Sequence, residues 1–170
     1  APWALGLFYA AGTIGSILVT LTSGWVKSYT KHGRAIFLAA LGWGVAITLA
    51  GVSNNLFLIL LFLILAGASD MVSALFRSTL WNQSIPDEFR GRLAGVELIS
   101  YSVGPLGGQT RAGFTAERTS LRTSVVSGGL LCIGFVTLFT ALLPEFRKYD
   151  SKSNKFAILE AKKRKTAPNN

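Results

Sequence analysis

The sequence alternates between long apolar stretches and short polar ones. Five stretches are mostly apolar and long enough to be read as membrane spans: residues 4–26, 35–52, 56–81, 93–116 and 123–143. A helix of about 20 predominantly apolar residues crosses the roughly 30 Å hydrocarbon layer of a bilayer. The pattern therefore predicts an all-α, polytopic membrane helix bundle of five transmembrane helices in residues 1–144. A basic tail, residues 145–170, is predicted to follow it.

The composition agrees with a membrane protein. Half of the residues are hydrophobic and 15% are charged, whereas about 25% are charged in ordinary soluble domains. The formal charge of +9 does not indicate nucleic-acid binding, because the cations lie in the polar connections and the tail. A nucleic-acid-binding domain would carry them on one face of a soluble fold. Membrane lipid, not nucleic acid, is the partner that this composition indicates.

Lysine and arginine collect on one side of the predicted bundle. The connection 27–34, the connection 85–92 with Arg77 and the tail hold 14 of the 17 cations, while Arg111, Arg118 and Arg122 lie on the other side. Such residues accumulate on the cytoplasmic side of membrane proteins. We therefore predict a multi-pass protein of the cytoplasmic membrane with a cytoplasmic C-terminus. The basic run 162–165 either attracts anionic lipid or only fixes this topology.

The third span carries ionisable residues inside an apolar stretch. Asp70, Ser73 and Arg77 recur at helical spacing, which predicts a polar face directed at protein or at a water-filled cavity. A charged group at this depth is costly in lipid, so Asp70 is the strongest candidate for coupling to a proton gradient or binding a cationic substrate group. The alternative is that Asp70 only hydrogen-bonds a neighbouring helix.

The fourth span is the least apolar of the five. Glu97, Tyr101 and Arg111 fall roughly on one face of the predicted helix, so we expect them to line the same cavity as the third span. A small-molecule substrate would bind there.

A cluster of helix-weakening residues lies in the middle of the fourth span. Its members are Gly104, Pro105, Gly107 and Gly108. Proline removes a backbone donor and glycine adds flexibility, so we expect a bend or a break in this helix. A moving hinge is the bolder interpretation.

The connection between the third and fourth spans contains acids and arginines close together. Arg90 and Arg92, beside Gly91, are predicted to hold this cytoplasmic connection by pairing with Asp87, with Glu88 or with an acid in a part of the protein outside this chain. A purely topological role for the two arginines is the alternative.

The sequence offers little for catalysis. Its single histidine, His32, falls in a predicted basic loop, and its single cysteine, Cys132, falls in an apolar span. No histidine, cysteine and carboxylate set has the spacing of metal ligands or of a nucleophile with its base. We therefore expect neither an enzyme nor a bound metal or cofactor.

Two segments resemble the C-terminal half of a major facilitator superfamily permease, in the branch of the enterobactin or siderophore exporters. They are SALFRSTLWNQSIPDEFRGRLAGVELISYSVGPLGG and RTSVVSGGLLCIGFVTLFTALLPEFRKYD. Such permeases have twelve helices in two halves, so the five spans resemble helices eight to twelve. The resemblance then implies that the N-terminal half and helix seven are absent from this chain. The chain starts at Ala1 and its single methionine is Met71, which also suggests part of a longer product.

The resemblance implies a function and a mechanism. It indicates proton-driven export of a siderophore-like small molecule by alternating access, in which two halves rock about a site near the membrane midplane. A multidrug or general efflux permease is the nearest alternative. A non-transporting truncated membrane protein, or an assembly partner, is the alternative from another class.

The resemblance also implies a cytoplasmic gate after the first span. Gly24, Gly33 and Arg34 match the ends of a family signature that runs from a glycine through an acid to glycine-arginine. Ser28 stands where the acid is expected, so the match covers the ends of the signature only.

Overall fold

The computed structural model describes residues 2–85, 89–143 and 159. The described residues form five α-helices and one 3₁₀ helix, with no β-strand among them. The helices are α1 (Pro2–Leu21), α2 (His32–Val52), α3 (Leu56–Ser84), α4 (Arg90–Arg118) and α5 (Leu121–Leu142), and the 3₁₀ helix is Ser23–Ser28. The prediction of an all-α helix bundle is confirmed. The predicted domain limit at residue 144 and all of the tail except residue 159 lie outside these residues, and both stay predictions.

Three of the described helices are long and apolar enough to cross a membrane. They are His32–Val52, Leu56–Gln83 and Leu121–Leu142. The apolar part of α1, Gly6–Leu21, is shorter than these, and α4 is less apolar than the other helices. The chain is therefore membrane-embedded, and α1 and α4 stay predicted spans.

The helices pack as neighbours in the order α1, α3, α2, α5, α4. Short turns at residues 53–55 and 119–120 reverse the chain, and each ends in a polar cap. The Asn55 side chain accepts a hydrogen bond from the Phe57 N–H at 2.9 Å, and Ser120 Oγ accepts one from the Thr123 N–H at 3.1 Å. A polar side chain at this position satisfies an N–H that the first helical turn leaves unpaired.

The connection between α1 and α2 differs from the prediction. α1 ends at Leu21, not near residue 26, and the 3₁₀ helix Ser23–Ser28 follows it. The structure also corrects the expectation that His32 lies in a basic loop, because His32 is the first residue of α2 and only 2% of its surface is exposed.

Aromatic packing explains this compact connection. The fully buried ring of Phe76 on α3 lies 5.7 Å from Trp25, 5.6 Å from Tyr29 and 5.5 Å from His32, measured between ring centroids. Aromatic pairs at these separations stabilise beyond the area they bury. The cluster therefore holds the end of α3 against the segment that joins α1 to α2.

The crossing of α1 and α3 depends on small residues. A Cβ atom at Gly67 would overlap the Gly12 carbonyl, and one at Gly15 would overlap the Ile64 carbonyl. Ser16 Oγ donates a hydrogen bond to the Gly67 carbonyl at 3.1 Å across the same crossing. Small residues let two helix backbones approach closely where lipid removes the hydrophobic drive for association.

The crossing of α2 and α5 follows the same rule. A Cβ atom at Gly44 would lie 2.8 Å from Ile133 and 3.2 Å from the Gly129 carbonyl. A Cβ atom at Gly129 would overlap Thr48 Oγ1, and one at Gly51 would lie 2.7 Å from Val126. A side chain at any of these three positions would therefore force its neighbours to shift.

Arg122 joins two turns at one end of the bundle. Its Nε donates to the Gly51 carbonyl at 2.8 Å, its Nη1 donates to Asn54 Oδ1 at 2.9 Å, and its Nη2 donates to the Val52 carbonyl. A cation at a helix C-terminus also meets the negative end of the helix dipole. The α2–α3 turn and the start of α5 consequently lie on the same side of the membrane.

Cysteine labelling tests on which side of the membrane the α2–α3 turn and the start of α5 lie. With single cysteines introduced one at a time, we expect Asn54→Cys and Thr119→Cys to react from outside the cell with an impermeant thiol reagent. Ser28→Cys and Ser151→Cys should react only after the membrane is opened, because the excess of cations is predicted to be cytoplasmic. A background with Cys132→Ser removes the native thiol. The reverse labelling pattern would refute the predicted orientation.

Candidate functional site: a polar groove between α3 and α4

The sequence-predicted site residues Arg77 and Tyr101 meet where α3 approaches α4. The guanidinium carbon of Arg77 lies 5.4 Å from the centroid of the Tyr101 ring. A cation over an aromatic face within about 6 Å is attracted by the negative charge of the ring face. The pair therefore links α3 and α4, whose other contacts are few.

A groove of about 360 Å³ surrounds this pair. Its lining is mostly apolar, and we call it the polar groove after its two charged residues, Arg77 and Glu97. Its lining residues are Ile36, Arg77, Leu80, Trp81, Val96, Glu97 and Tyr101. The Glu97 side chain is half-buried there, while Arg77 and Tyr101 are exposed. Three of the predicted cavity residues, Arg77, Glu97 and Tyr101, are thus brought together by the fold.

Asp70 is not part of the polar groove. It is exposed on α3, seven residues before Arg77, which corresponds to about 10 Å along a helix axis. Ser73, between them in the sequence, is 7% exposed. Three residues turn a helix by about 300°, so Ser73 is directed about 60° away from Asp70 and into the bundle. Of the three residues on the predicted polar face, Asp70 and Arg77 are therefore exposed and Ser73 is buried.

Arg111 lies at the other end of α4 and binds α5. Its Nη1 donates to Ser127 Oγ at 3.3 Å and its Nη2 donates to the Ser124 carbonyl at 3.2 Å. Ser124 Oγ in turn donates to the Ala112 carbonyl at 2.7 Å. Arg111 is ten residues from Tyr101, about 15 Å along the helix. In the described residues it joins two helices and does not line the polar groove.

The predicted helix-break residues form an open stretch of α4. The helix runs without interruption from Arg90 to Arg118 and contains Pro105. Gly104, Gly107 and Gly108 are exposed, and a Cβ atom at any of them would meet no atom of the described chain within 4 Å. No neighbour in the described chain requires these glycines, and the predicted bend stays a prediction.

The predicted gate residues lie at the starts of α2 and α4. Gly33 is buried in the first turn of α2, and Arg34 beside it is exposed. Arg90 begins α4, where Gly91 and Arg92 are exposed. Asp87 lies outside the described residues, so the predicted pairing of the arginines stays a prediction.

Trp81 lines the polar groove but is not among the site residues predicted from the sequence. Trp81 follows Arg77 by four residues, and residues four apart share a helix face. This spacing is the feature of the sequence that indicates that Trp81 lies beside Arg77. An indole beside the guanidinium of Arg77 and the phenol of Tyr101 adds a flat aromatic surface to the site.

The polar groove combines groups suited to an organic ion. Arg77 supplies positive charge, Glu97 supplies a carboxylate, and Trp81 and Tyr101 supply aromatic surface beside apolar walls. Ligand sites are mostly apolar with a few placed polar groups of this kind. Among the described residues no group of three or more histidine, cysteine, aspartate or glutamate side chains is arranged to hold a metal ion.

Comparison with known proteins identifies relatives of this chain. It is 31% identical over 147 residues to Enterobactin exporter EntS from Escherichia coli O1:K1 / APEC, from Escherichia coli O81 (strain ED1a) and from Shigella flexneri. The match covers 85% of this chain and 35% of each relative, so the chain spans about a third of the length of these relatives.

No family model matches the sequence, and no solved structure matches the fold. The relatives are named as exporters, which are transporters and not enzymes. The resemblance predicted from the sequence, to the siderophore-exporter branch of the major facilitator superfamily, is therefore confirmed.

Proposed function

We propose that this chain is the C-terminal portion of a proton-driven exporter of the cytoplasmic membrane. The complete transporter moves a siderophore-like small molecule outward by alternating access, in which its halves rock about a site near the membrane midplane. The observation that carries this proposal is the 31% identity, over 85% of the chain, to proteins named as enterobactin exporters. The N-terminal half of the transporter would supply the opposing wall of the site.

The position of the polar groups supports this proposal. Arg77, Glu97 and Tyr101 line a groove in a bundle whose other helices are apolar, and Asp70 is exposed on the same helix as Arg77. Ionisable residues inside a membrane normally face a water-filled path or another protein segment. These side chains therefore suit the wall of a transport pathway that the second half completes.

Substrate accumulation tests the proposal. Cells that lack the complete gene should retain siderophore inside and release less of it, and the restored gene should reverse both effects. The retention of a panel of common drugs is measured in the same cells and compared with the retention of siderophore. Retention of drugs with normal siderophore release would instead indicate general efflux, and unchanged release of every compound would reject transport.

The connection between α3 and α4 provides a separate prediction. Replacing Arg90 and Arg92 by lysine should slow export, because lysine keeps the cytoplasmic charge but loses the planar fork that binds a carboxylate with two hydrogen bonds. Initial export rates of the single and double variants measure the effect. Lys152→Arg, a change between the same two residue types in the tail, is the control. If both lysine variants export normally, the arginines only fix topology.

A further inference from the structure

A second groove, which we call the outer groove, lies between α2, α3 and the 3₁₀ helix. Its volume is about 410 Å³. Its walls include Trp25, Tyr29, Ala35, Leu38, Leu65 and Val72. The base contains the small residues Ala39, Ala68 and Ser69, which leave space between the two helices. Apart from Ser69 and the polar tips of Trp25 and Tyr29, the side chains that line this groove are apolar.

The outer groove lies on the side of α3 that is turned away from the ionisable residues. Leu65 and Val72 are about 140° and 160° from Asp70 around an ideal helix. Leu65 is 48% exposed, and Leu38 on the opposite wall is 55% exposed. An exposed apolar surface on the side of α3 opposite Asp70 is the arrangement expected of a face that contacts lipid tails and not the transport pathway.

One end of the outer groove is cationic. Lys31 precedes α2 and Arg34 lies in its first turn, and both are exposed. Arg34 and Leu38 are four apart in α2 and share a helix face. Lys31 caps the helix, and its carbonyl accepts a hydrogen bond from the Ala35 N–H at 3.2 Å. The first 69 residues of the chain contain no acidic residue. The charge that α1, α2 and the segment between them contribute at this end of the groove is therefore positive.

The same end carries two aromatic side chains. Trp25 is 46% exposed and Tyr29 is 37% exposed, and both line the groove. Tryptophan and tyrosine concentrate where hydrocarbon meets the headgroup layer, since each ring has an apolar body and a polar tip. The rings thus mark the depth at which an acyl chain would give way to its phosphate.

We propose that the outer groove binds an anionic glycerophospholipid of the cytoplasmic leaflet. One acyl chain occupies the space between Leu38 and Leu65, and the phosphate lies at Lys31 and Arg34. A lipid with net negative charge is favoured over a zwitterionic lipid, because Lys31 and Arg34 meet its headgroup and residues 1–69 contain no acidic residue. The site is separate from the polar groove, so it does not depend on which substrate is exported.

Lipid retention tests the headgroup contact. The complete protein is reconstituted in nanodiscs with equal amounts of phosphatidylglycerol and phosphatidylcholine, and retained lipids are counted by native mass spectrometry. We expect phosphatidylglycerol to be retained preferentially, and Lys31→Gln with Arg34→Gln to reduce its retention roughly tenfold. Arg118→Gln with Lys152→Gln removes the same charge elsewhere and should have no effect. Equal retention of both lipids, or an unchanged double variant, would refute the proposal.

A second pair of variants tests the acyl-chain contact. Val72→Phe fills the groove and should release the bound lipid, whereas Leu58→Phe adds the same ring to an exposed part of α3 that does not line the groove. A photoreactive benzoylphenylalanine at Leu38 then identifies the occupant directly. Cross-linking to phosphatidylglycerol supports the proposal. Cross-linking to a peptide from residues 145–170 would show that the tail fills the groove, and would refute it.

Discussion

Replacing Asp70 by asparagine should abolish gradient-driven export by the complete transporter while leaving its membrane insertion intact. Asparagine keeps the shape of the side chain and its capacity for hydrogen bonds but cannot bind or release a proton. Asp70 is exposed on α3, away from the outer groove, so the change disturbs no packing within the described bundle. Export rate measured with and without an imposed pH gradient reports the effect.

Two further measurements separate coupling from a structural role of Asp70. Asp70→Glu keeps the ionisable group and should retain part of the export activity, whereas a merely structural hydrogen bond would tolerate asparagine at least as well. Membrane-inserted protein is quantified for every variant. If Asp70→Asn exports at the normal rate with an unchanged pH profile, Asp70 is not the coupling residue.

Replacing Gly67 by alanine should destabilise the α1–α3 crossing, whereas replacing Gly12 by alanine should not. A Cβ atom at Gly67 would overlap the backbone of Gly12, but a Cβ atom at Gly12 meets no atom within 4 Å. Backbone atoms cannot rotate out of the way, so the two helices must separate. We expect a cost of about 1–3 kcal/mol for Gly67→Ala and almost none for Gly12→Ala.

Thermal stability of the purified complete protein in detergent measures this difference. The two variants add the same methyl group to the same helix crossing, which makes Gly12→Ala a matched control. Ser16→Ala, which only removes the hydrogen bond from Ser16 Oγ to the Gly67 carbonyl, should fall between them. Equal midpoints for Gly67→Ala and Gly12→Ala would show that the crossing is less tight than described.

The apolar pattern of the sequence is sufficient to predict the five helices. Long apolar runs broken by polar turns specify helices and their approximate ends, because the bilayer favours internally hydrogen-bonded segments. The apolar run continues beyond Leu21, where α1 ends, because Trp25 and Val26 of the 3₁₀ helix are also apolar. The pattern therefore predicts an end of α1 that is about five residues too far along the chain. The burial of His32 was also missed, because it depends on Phe76, which is 44 residues further along the chain.

The contacts within the candidate site were only partly predictable. Helical spacing indicates that Arg77 and Tyr101 belong to polar faces that line one cavity, but the direct contact between their side chains is visible only in the fold. The sequence alone does not show which small residues lie at a helix crossing. Gly15 is indispensable to its crossing, while Gly6 and Gly24 have open space around them in the described chain. Periodicity gives the direction of a side chain, not which neighbour lies opposite.

The hydrogen bonds of Arg122 have a consequence for the order of events during synthesis. Arg122 is made 71 residues after Gly51, whose carbonyl it binds. The last carbonyls of α2 therefore obtain this partner only after α3 and α4 have left the ribosome and α5 has begun to insert. Until then only water and lipid headgroups can donate hydrogen bonds to the carbonyls that Arg122 later binds. We expect the arrival of α5 to be the step that closes this end of the bundle, with every earlier stage remaining open to rearrangement.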